Sequence, residues 1–473
     1  MRSLRDPGGY LADRDGRLLR VVNAGGEQNA RLWLEAPCLE PLRKAGRLIG
    51  TRVLDQAETE SRGLSGAEMV LEHERIPFVG YPYEWPAEML VAAGELTLDL
   101  AEALLPAGLG LKDATPFNIL FRGGEPVFVD ALSVETREGR DPLWHPMAQF
   151  ERTFVYPLLA QRSSGLALRQ SLGVNREGLE PEEMVKLAGP VRKWMRPYLG
   201  LATIPTWLGK RKKVERPDFY RRHEVGSAEQ AQFILERGFR SARRALRQAG
   251  PPADARSGWS EYQAAECHYR EEDRAAKRRV VEQALHQLTA GSAVLDVGAN
   301  LGEYSRIAAG LGHRVVATDM DAITMGRLWR QVRSAKEDIL PLVVDFSSPT
   351  PGTGWENSEG ISFLNRAKQG FDCVLMLAVV HHLLVTHGIP LEDIVFLASQ
   401  LARQSLLAEY VGPDDPLFQR LCRGREELYR DFNQEEFESQ FLKRFPILRK
   451  RETQQSGRVM FWFEKQQRTE AKQ

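Results

Sequence analysis

The chain has 473 residues, 42% hydrophobic and 27% charged, a globular composition too long for one ordinary core, so two or three domains are expected. Lysine plus arginine and aspartate plus glutamate number 64 each, which excludes a whole-chain field that would draw the protein to nucleic acid. No stretch of about 18 uncharged apolar residues occurs, so no spanning helix and no membrane partner are expected.

Cys38, Cys267, Cys373 and Cys422 are far apart and form no CxxC pair. They predict reduced thiols, with neither a disulfide framework nor a zinc site. The run Met1-Arg2-Ser3-Leu4-Arg5-Asp6-Pro7 lacks the apolar core of a signal peptide. Together these features predict a cytoplasmic protein.

Residues 1–162 mix short strand-like runs, Leu18 to Val22 and Glu68 to Glu72, with one long amphipathic helix from about Glu88 to Leu105. Pro86 bounds that helix on one side, Pro106 and Gly108 on the other. Beyond it comes Leu111-Lys112-Asp113-Ala114-Thr115-Pro116-Phe117-Asn118-Ile119-Leu120-Phe121, then a turn at Gly123-Gly124, then Val127-Phe128-Val129 leading into Asp130. The D-x-x-x-x-N spacing and the later acid resemble aminoglycoside-phosphotransferase-type kinases over about 60 residues. The resemblance implies Asp113 as a base, Asn118 and Asp130 as metal ligands, and Pro77 to Pro86 as the hinge between lobes. The departures are specific. Leu111 stands where the family has histidine, and Asp130-Ala131-Leu132 replaces the D-F-G tripeptide. Asn23-Ala24-Gly25-Gly26 is a poor phosphate loop. Lys44, the sole lysine before Lys112, falls in a predicted helix, which leaves Arg20 on a strand as the stand-in. The expectation is a degenerate α+β kinase-like domain that recognises an acceptor. Active phosphoryl transfer, which would make the protein bifunctional, and a plain structural role are the alternatives.

Residues 163–257 read as a mostly helical, polar connector, with a helix from Ala228 to Gln248 and a linker at Pro251-Pro252. The basic run Lys210 to Lys213 with Arg216, Arg221 and Arg222 reads as a solvated linker or helix face, phosphate binding being the alternative.

Residues 258–473 alternate strand and helix patterns, which predicts a parallel sheet with crossover helices. The first strand, Ala293 to Val297, carries Asp296 and enters a turn through Gly298, Asn300 and Gly302, with a helix beginning near Glu303. This D-x-G-x-x-x-G spacing differs from the G-x-G-x-x-G of dinucleotide enzymes. The second strand, Arg314 to Thr318, ends at Asp319, followed by Met320 and the nearby Asp321; an acid here suits the two hydroxyls of a ribose. The third, Leu342 to Val344, ends at Asp345-Phe346, an acid for an adenine amino group beside a flanking ring. The fourth, Cys373 to Leu377, runs into Ala378-Val379-Val380-His381-His382-Leu383. The fifth, Ser405 to Ala408, ends at Glu409-Tyr410, and strand-like runs near Ile447 to Thr453 and Val459 to Phe463 close the pattern.

Five parallel strands, a terminal hairpin and three spaced acids resemble the seven-stranded Rossmann-like domain of class I S-adenosylmethionine (SAM) dependent methyltransferases. More narrowly, the chain is similar to nodulation-protein-like methyltransferases. That match rests on Gly354-Trp355-Glu356-Asn357, Leu377 to Leu383, Ala408-Glu409-Tyr410-Val411, Arg425 to Tyr429, Glu436-Phe437, Trp259 to Tyr262 and Tyr269. The resemblance implies SAM as cofactor, contacted by Asp296, Gly298, Asp319 and Asp345, with Asn300, Gly302, Met320, Phe346 and Leu377 around it. His382, His381 and Glu409 are the candidate bases for an oxygen or nitrogen acceptor, His382 ahead of its neighbour. The acceptor is expected to be a small molecule or glycan rather than nucleic acid; no protein partner is readable.

Overall fold

The computed structural model describes residues 6–64, 66–211, 224–252, 254, 255, 257 and 271–466. Cys267, the family-like Trp259 to Tyr262 and Tyr269, and the basic positions from Lys212 to Arg222 lie outside the described residues. The other three cysteines are free thiols. The chain divides into two compact units, Met1–Ala253 with Gly352–Gly360, and Asp254–Pro351 with Ile361–Gln473. The helices expected to form a separate connector therefore belong, through residue 253, to the first unit.

In the first unit, β1 (Gly9–Arg14), β2 (Arg17–Val22), β3 (Thr51–Val53) and β4 (Met69–His73) form an antiparallel sheet ordered β1-β2-β4-β3. Its apolar face gathers Leu19, Val21 and Val70 with Leu54 and Leu64, because alternate side chains of a strand share one face. The long helix forms as expected, over Ala87–Leu104, and Pro86 sets its entry. It packs on the helix Ala228–Ala249, where Leu246 and Phe154 fill the space left by Gly94. Arg243 lies 2.9 Å from both Asp99 and Glu102 along the rim of that contact. Two small two-stranded antiparallel sheets follow the long helix. One pairs β5 (Leu109–Leu111) with β8 (Val134–Thr136); between them in sequence, β6 (Ile119–Arg122) and β7 (Glu125–Phe128) form a hairpin through the expected Gly123-Gly124 turn.

The second unit is built on seven strands: β9 (Ala293–Val297), β10 (Arg314–Asp319), β11 (Ile339–Val343), β12 (Phe371–Met376), β13 (Ala402–Tyr410), β14 (Ile447–Thr453) and β15 (Val459–Glu464). Their order is β11-β10-β9-β12-β13-β15-β14. The pairings from β11 to β13 are parallel, and β15 lies antiparallel between β13 and β14. The central strands are apolar on both faces because helices cover both, and Val294, Val315, Ala317, Leu375 and Leu407 sit in one core. This is the order the sequence pattern implies, parallel strands with crossover helices closed by a terminal hairpin. The fifth strand ends at Glu409-Tyr410 as expected, where they pair with Met460 and Val459 of β15, but it begins earlier than the sequence implies, at Ala402. Among the described residues no helix is long and apolar enough to cross a membrane.

Candidate functional site

Strand order reverses beside β9, with β10 on one side and β12 on the other, and the crevice beyond the strand ends at such a switch point is where open α/β sheets receive ligands. Register brings the expected residues there. Asp296 pairs with Ala317 of β10 and Leu375 of β12, so the turn after β9 lies between Asp319 and the segment after β12. Asp319 pairs with Val343, which sets Asp345 just beyond the neighbouring strand end.

The turn is shaped by backbone that only small residues adopt easily. Gly298 and Gly302 have φ of 71° and 76°, and Asn300 has φ of 49°. A Cβ on Gly298 would lie 2.3 Å from Val379 Cγ2, and one on Gly302 would lie 2.4 Å from Leu328 Cδ1. Both glycines are thus required by conformation and by space. The amides of Gly298 and Ala299 donate to the Thr318 carbonyl, at 2.8 and 2.9 Å. The Asn300 amide donates to Asp319 Oδ2 at 3.0 Å, while the Asp321 amide donates to Oδ1 at 2.9 Å. Asp319 is therefore fixed in orientation, and burial raises its pKa. The nearby acid, Asp321, is committed elsewhere: it caps the helix Ala322–Ala335 by accepting from the Ile323 and Thr324 amides.

Asp296 is buried and takes the Ser305 hydroxyl at 2.6 Å. Burial pushes its carboxyl up to about 6. Asp345 accepts from the amide and hydroxyl of Ser347, at 2.8 and 2.6 Å. Phe346 is buried and meets Phe363 edge-on at 5.6 Å. Leu377 is buried at the end of β12, whereas Met320 is exposed. Next to Leu377, Ala378 holds φ 56°, a conformation that costs a non-glycine residue ~1–2 kcal/mol and concentrates at functional sites. The Asn300 Oδ1 atom is buried with no hydrogen-bond partner. An orphaned acceptor, three acids on adjacent strands and a turn open to close approach fit a ligand bearing an ammonium, a ribose and an adenine.

The three candidate bases differ sharply. His381 is buried, and neither ring nitrogen has a hydrogen-bond partner. Its ring lies 4.3 Å from that of His382, centroid to centroid. Burial holds the pKa of His381 well below its usual value and that of His382 down to about 4, so both are neutral at pH 7. Glu409 is fully buried, with Lys277 Nζ at 2.7 Å on Oε2 and Gln454 Nε2 at 3.1 Å on Oε1. Both of its oxygens are taken, an arrangement for holding rather than for receiving a proton. Lys277, which the sequence reading missed, lies on the helix Glu271–His286 with its ammonium 5.2 Å from the Tyr304 ring centroid.

In the first unit, Asp113 follows β5, Asn118 precedes β6 and Asp130 follows β7. Arg20 of β2 reaches Asp130 Oδ1 at 3.4 Å and Asp6 at 3.6 Å, and Gln149 Nε2 donates to Asp113 at 3.5 Å. The Asn118 amide nitrogen is buried without a partner. Burial raises the Asp130 pKa, and Arg20 opposes that rise.

No protein-family model matches the chain. It is similar to the nodulation protein NoeA of Rhizobium meliloti (strain 1021), at 28% identity over 472 residues, covering 98% of this chain and 95% of NoeA. Among solved structures it is similar to a SAM-dependent methyltransferase from Aquifex aeolicus (TM-score 0.32, 13% identity, 44% of this chain and 99% of that one). It is also similar to magnesium protoporphyrin IX methyltransferase from Synechocystis PCC 6803 with bound SAM (TM-score 0.28, 15% identity, 45% of this chain and 87% of that one).

The raised carboxyl gives a stability test. A carboxyl whose folded pKa exceeds its unfolded value contributes stability below the unfolded pKa and loses it as pH rises through the folded value, here about 6. Asp296→Asn removes the buried charge and keeps an acceptor for Ser305. It should stabilise the ligand-free protein at pH 8 by on the order of 1–3 kcal/mol, with the gain gone near pH 4. Thermal midpoints of both proteins across that range measure it, and a gain independent of pH would refute the assignment.

Proposed function

We propose that this protein is a SAM-dependent methyltransferase whose second unit holds the cofactor and whose first unit recognises a small-molecule or glycan acceptor. The observation that carries the reading is the meeting of Asp296, Asp319 and Asp345 at adjacent strand ends around a turn with two obligatory glycines. Similarity to NoeA along nearly the whole chain supports a shared two-unit plan.

The bound cofactor supplies a methyl group on a positively charged sulfur, an electrophile that needs positioning more than activation. Asp319 accepts hydrogen bonds from ribose hydroxyls through the lone pairs that its two backbone amides leave open. Asp345 and Phe346 receive the adenine, and Gly298, Asn300, Gly302, Met320 and Leu377 line the remainder. Asp296 balances the ammonium of the amino-acid portion. His381, neutral and without hydrogen bonds of its own, is the group best placed to take a proton from an acceptor, with His382 beside it. Glu409 positions Lys277 and does not act as the base.

The first unit is a degenerate kinase-like domain. Arg20 sits against Asp130, where a phosphotransferase would need that carboxylate for a divalent ion. The bifunctional reading loses support on this ground. ATP with magnesium should leave the thermal midpoint unshifted, and a shift abolished by Asp130→Asn would restore the second activity.

Calorimetric titration of the full chain with S-adenosylhomocysteine tests the principal reading. Binding is expected, with affinity at least ~10-fold lower in Asp319→Ala, which loses a charge-assisted hydrogen bond. A folded wild type that binds nothing would overturn it. With an acceptor found by labelled SAM, His381→Gln should lower kcat ~10²–10⁴-fold at unchanged S-adenosylhomocysteine affinity. Because burial holds both histidines neutral, with His382 at about 4, the kcat/KM profile should show no inflection near pH 6.5. Full turnover by the double histidine variant would remove both residues from the mechanism.

A further inference from the structure

The first unit carries an apolar surface that its own core does not use. Val191, Trp194, Met195, Ile204 and Trp207 are each between 45% and 69% exposed, five large apolar side chains within seventeen residues. The same segment is anchored from within. Tyr198 and Ala202 are buried, the Tyr156 hydroxyl donates to the Leu201 carbonyl at 2.6 Å, and Thr203 Oγ1 donates to the Lys193 carbonyl at 2.6 Å. That last bond holds the start of the helix Ile204–Arg211 against residue 193, and Trp207 stands one turn beyond Thr203. Two tryptophans and a methionine are therefore presented outward from a braced element.

Charge says what covers this surface. From Met184 to Arg211 the sequence contains Lys186, Arg192, Lys193, Arg196, Lys210 and Arg211 and not one acidic residue, although acids and bases balance over the whole chain. Tryptophan beside lysine and arginine is the composition that seats at the boundary between lipid headgroups and acyl chains, where the indole is half wetted and the basic groups meet phosphate.

We propose that residues 191–207 form a peripheral membrane-contact surface specific for anionic lipid bilayers. The expectation of no membrane partner rested on the absence of a spanning segment, which a surface contact does not require. The contact is reversible and shallow: the segment lies on the bilayer and does not cross it.

Sedimentation of the full-length protein with vesicles is the test. Vesicles of phosphatidylcholine mixed with phosphatidylglycerol should capture it and release it as salt is raised, and vesicles of phosphatidylcholine alone should not. Lys193→Gln with Arg196→Gln should weaken capture about 30-fold, since each basic group at an anionic surface contributes roughly a factor of five. Trp194→Ser with Met195→Ser should weaken it by at least ~10-fold. Amide exchange of the wild type, read between residues 190 and 207, should slow on anionic vesicles, which keeps the proposal testable if a variant fails to fold. The proposal is overturned if wild type ignores anionic vesicles, if folded variants bind undiminished, or if exchange in the segment is unchanged. It is equally overturned if an RNA oligonucleotide, rather than lipid, produces the protection.

Discussion

An ammonium and a carboxylate buried together hold the strand ends of the second unit in place. Glu409 is wholly enclosed and Lys277 nearly so, and their 2.7 Å contact joins the helix Glu271–His286 to the fifth strand. Removing one partner would leave the other charge bare in the interior, at a cost of about 3–5 kcal/mol. One turn earlier, Asp273 accepts from the amides of Gln455 and Ser456, in the turn of the final hairpin. Gln454 of that turn completes Glu409. Helix, fifth strand and hairpin therefore behave as one piece, and the flank of the crevice is rigid before any ligand arrives. The same commitment removes Glu409 from proton chemistry and leaves the histidine pair as the remaining candidates, with His381 the one whose ring nitrogens have no hydrogen-bond partner.

What the sequence revealed here follows from which signals are local. Strand identity and the acids at strand ends were legible because a buried parallel strand is a short apolar run, and the residue that ends it is read directly. Glycines 298 and 302 were legible as a turn. Their second reason, the nearness of Val379 and Leu328, belongs to tertiary packing and has no local signature. Glu409 and Tyr410 were legible as the end of β13, but its start at Ala402 was not, because Arg403 and Gln404 break the apolar run that marks the strand. Lys277 hid among Arg274, Arg278 and Arg279. A signal did exist: Asp273, Lys277, Val280 and Ala284 recur at helical spacing on the buried face, so two charges occupy positions where periodicity asks for apolar residues. A charge on the apolar stripe of a helix is either an error of reading or a buried partner, and here it is the partner.

Desolvation raises the carboxyl of an aspartate in each unit, but the partner each is given differs, and the contrast explains why the site of the second unit is read as working and that of the first as spent. Asp130 in the first unit faces a guanidinium supplied by the chain itself, on β2, with Asp6 sharing the same cation. The positive charge that a magnesium-bound nucleotide would bring already has a substitute there, and a divalent ion would have to displace a side chain held in a sheet. Asp296 in the second unit takes a neutral hydroxyl, and Lys277, the cation whose field reaches it, is bonded to Glu409. Its carboxyl therefore stays up at about 6, the mark of an acid whose charge is not fully compensated. A ligand carrying an ammonium would supply that compensation on binding, and the free energy stored in the raised carboxyl would reappear as affinity. The proton balance follows: below pH 6 the acid is neutral and offers the ammonium little, so cofactor affinity should be set by the same carboxyl that weakens the empty fold above that pH.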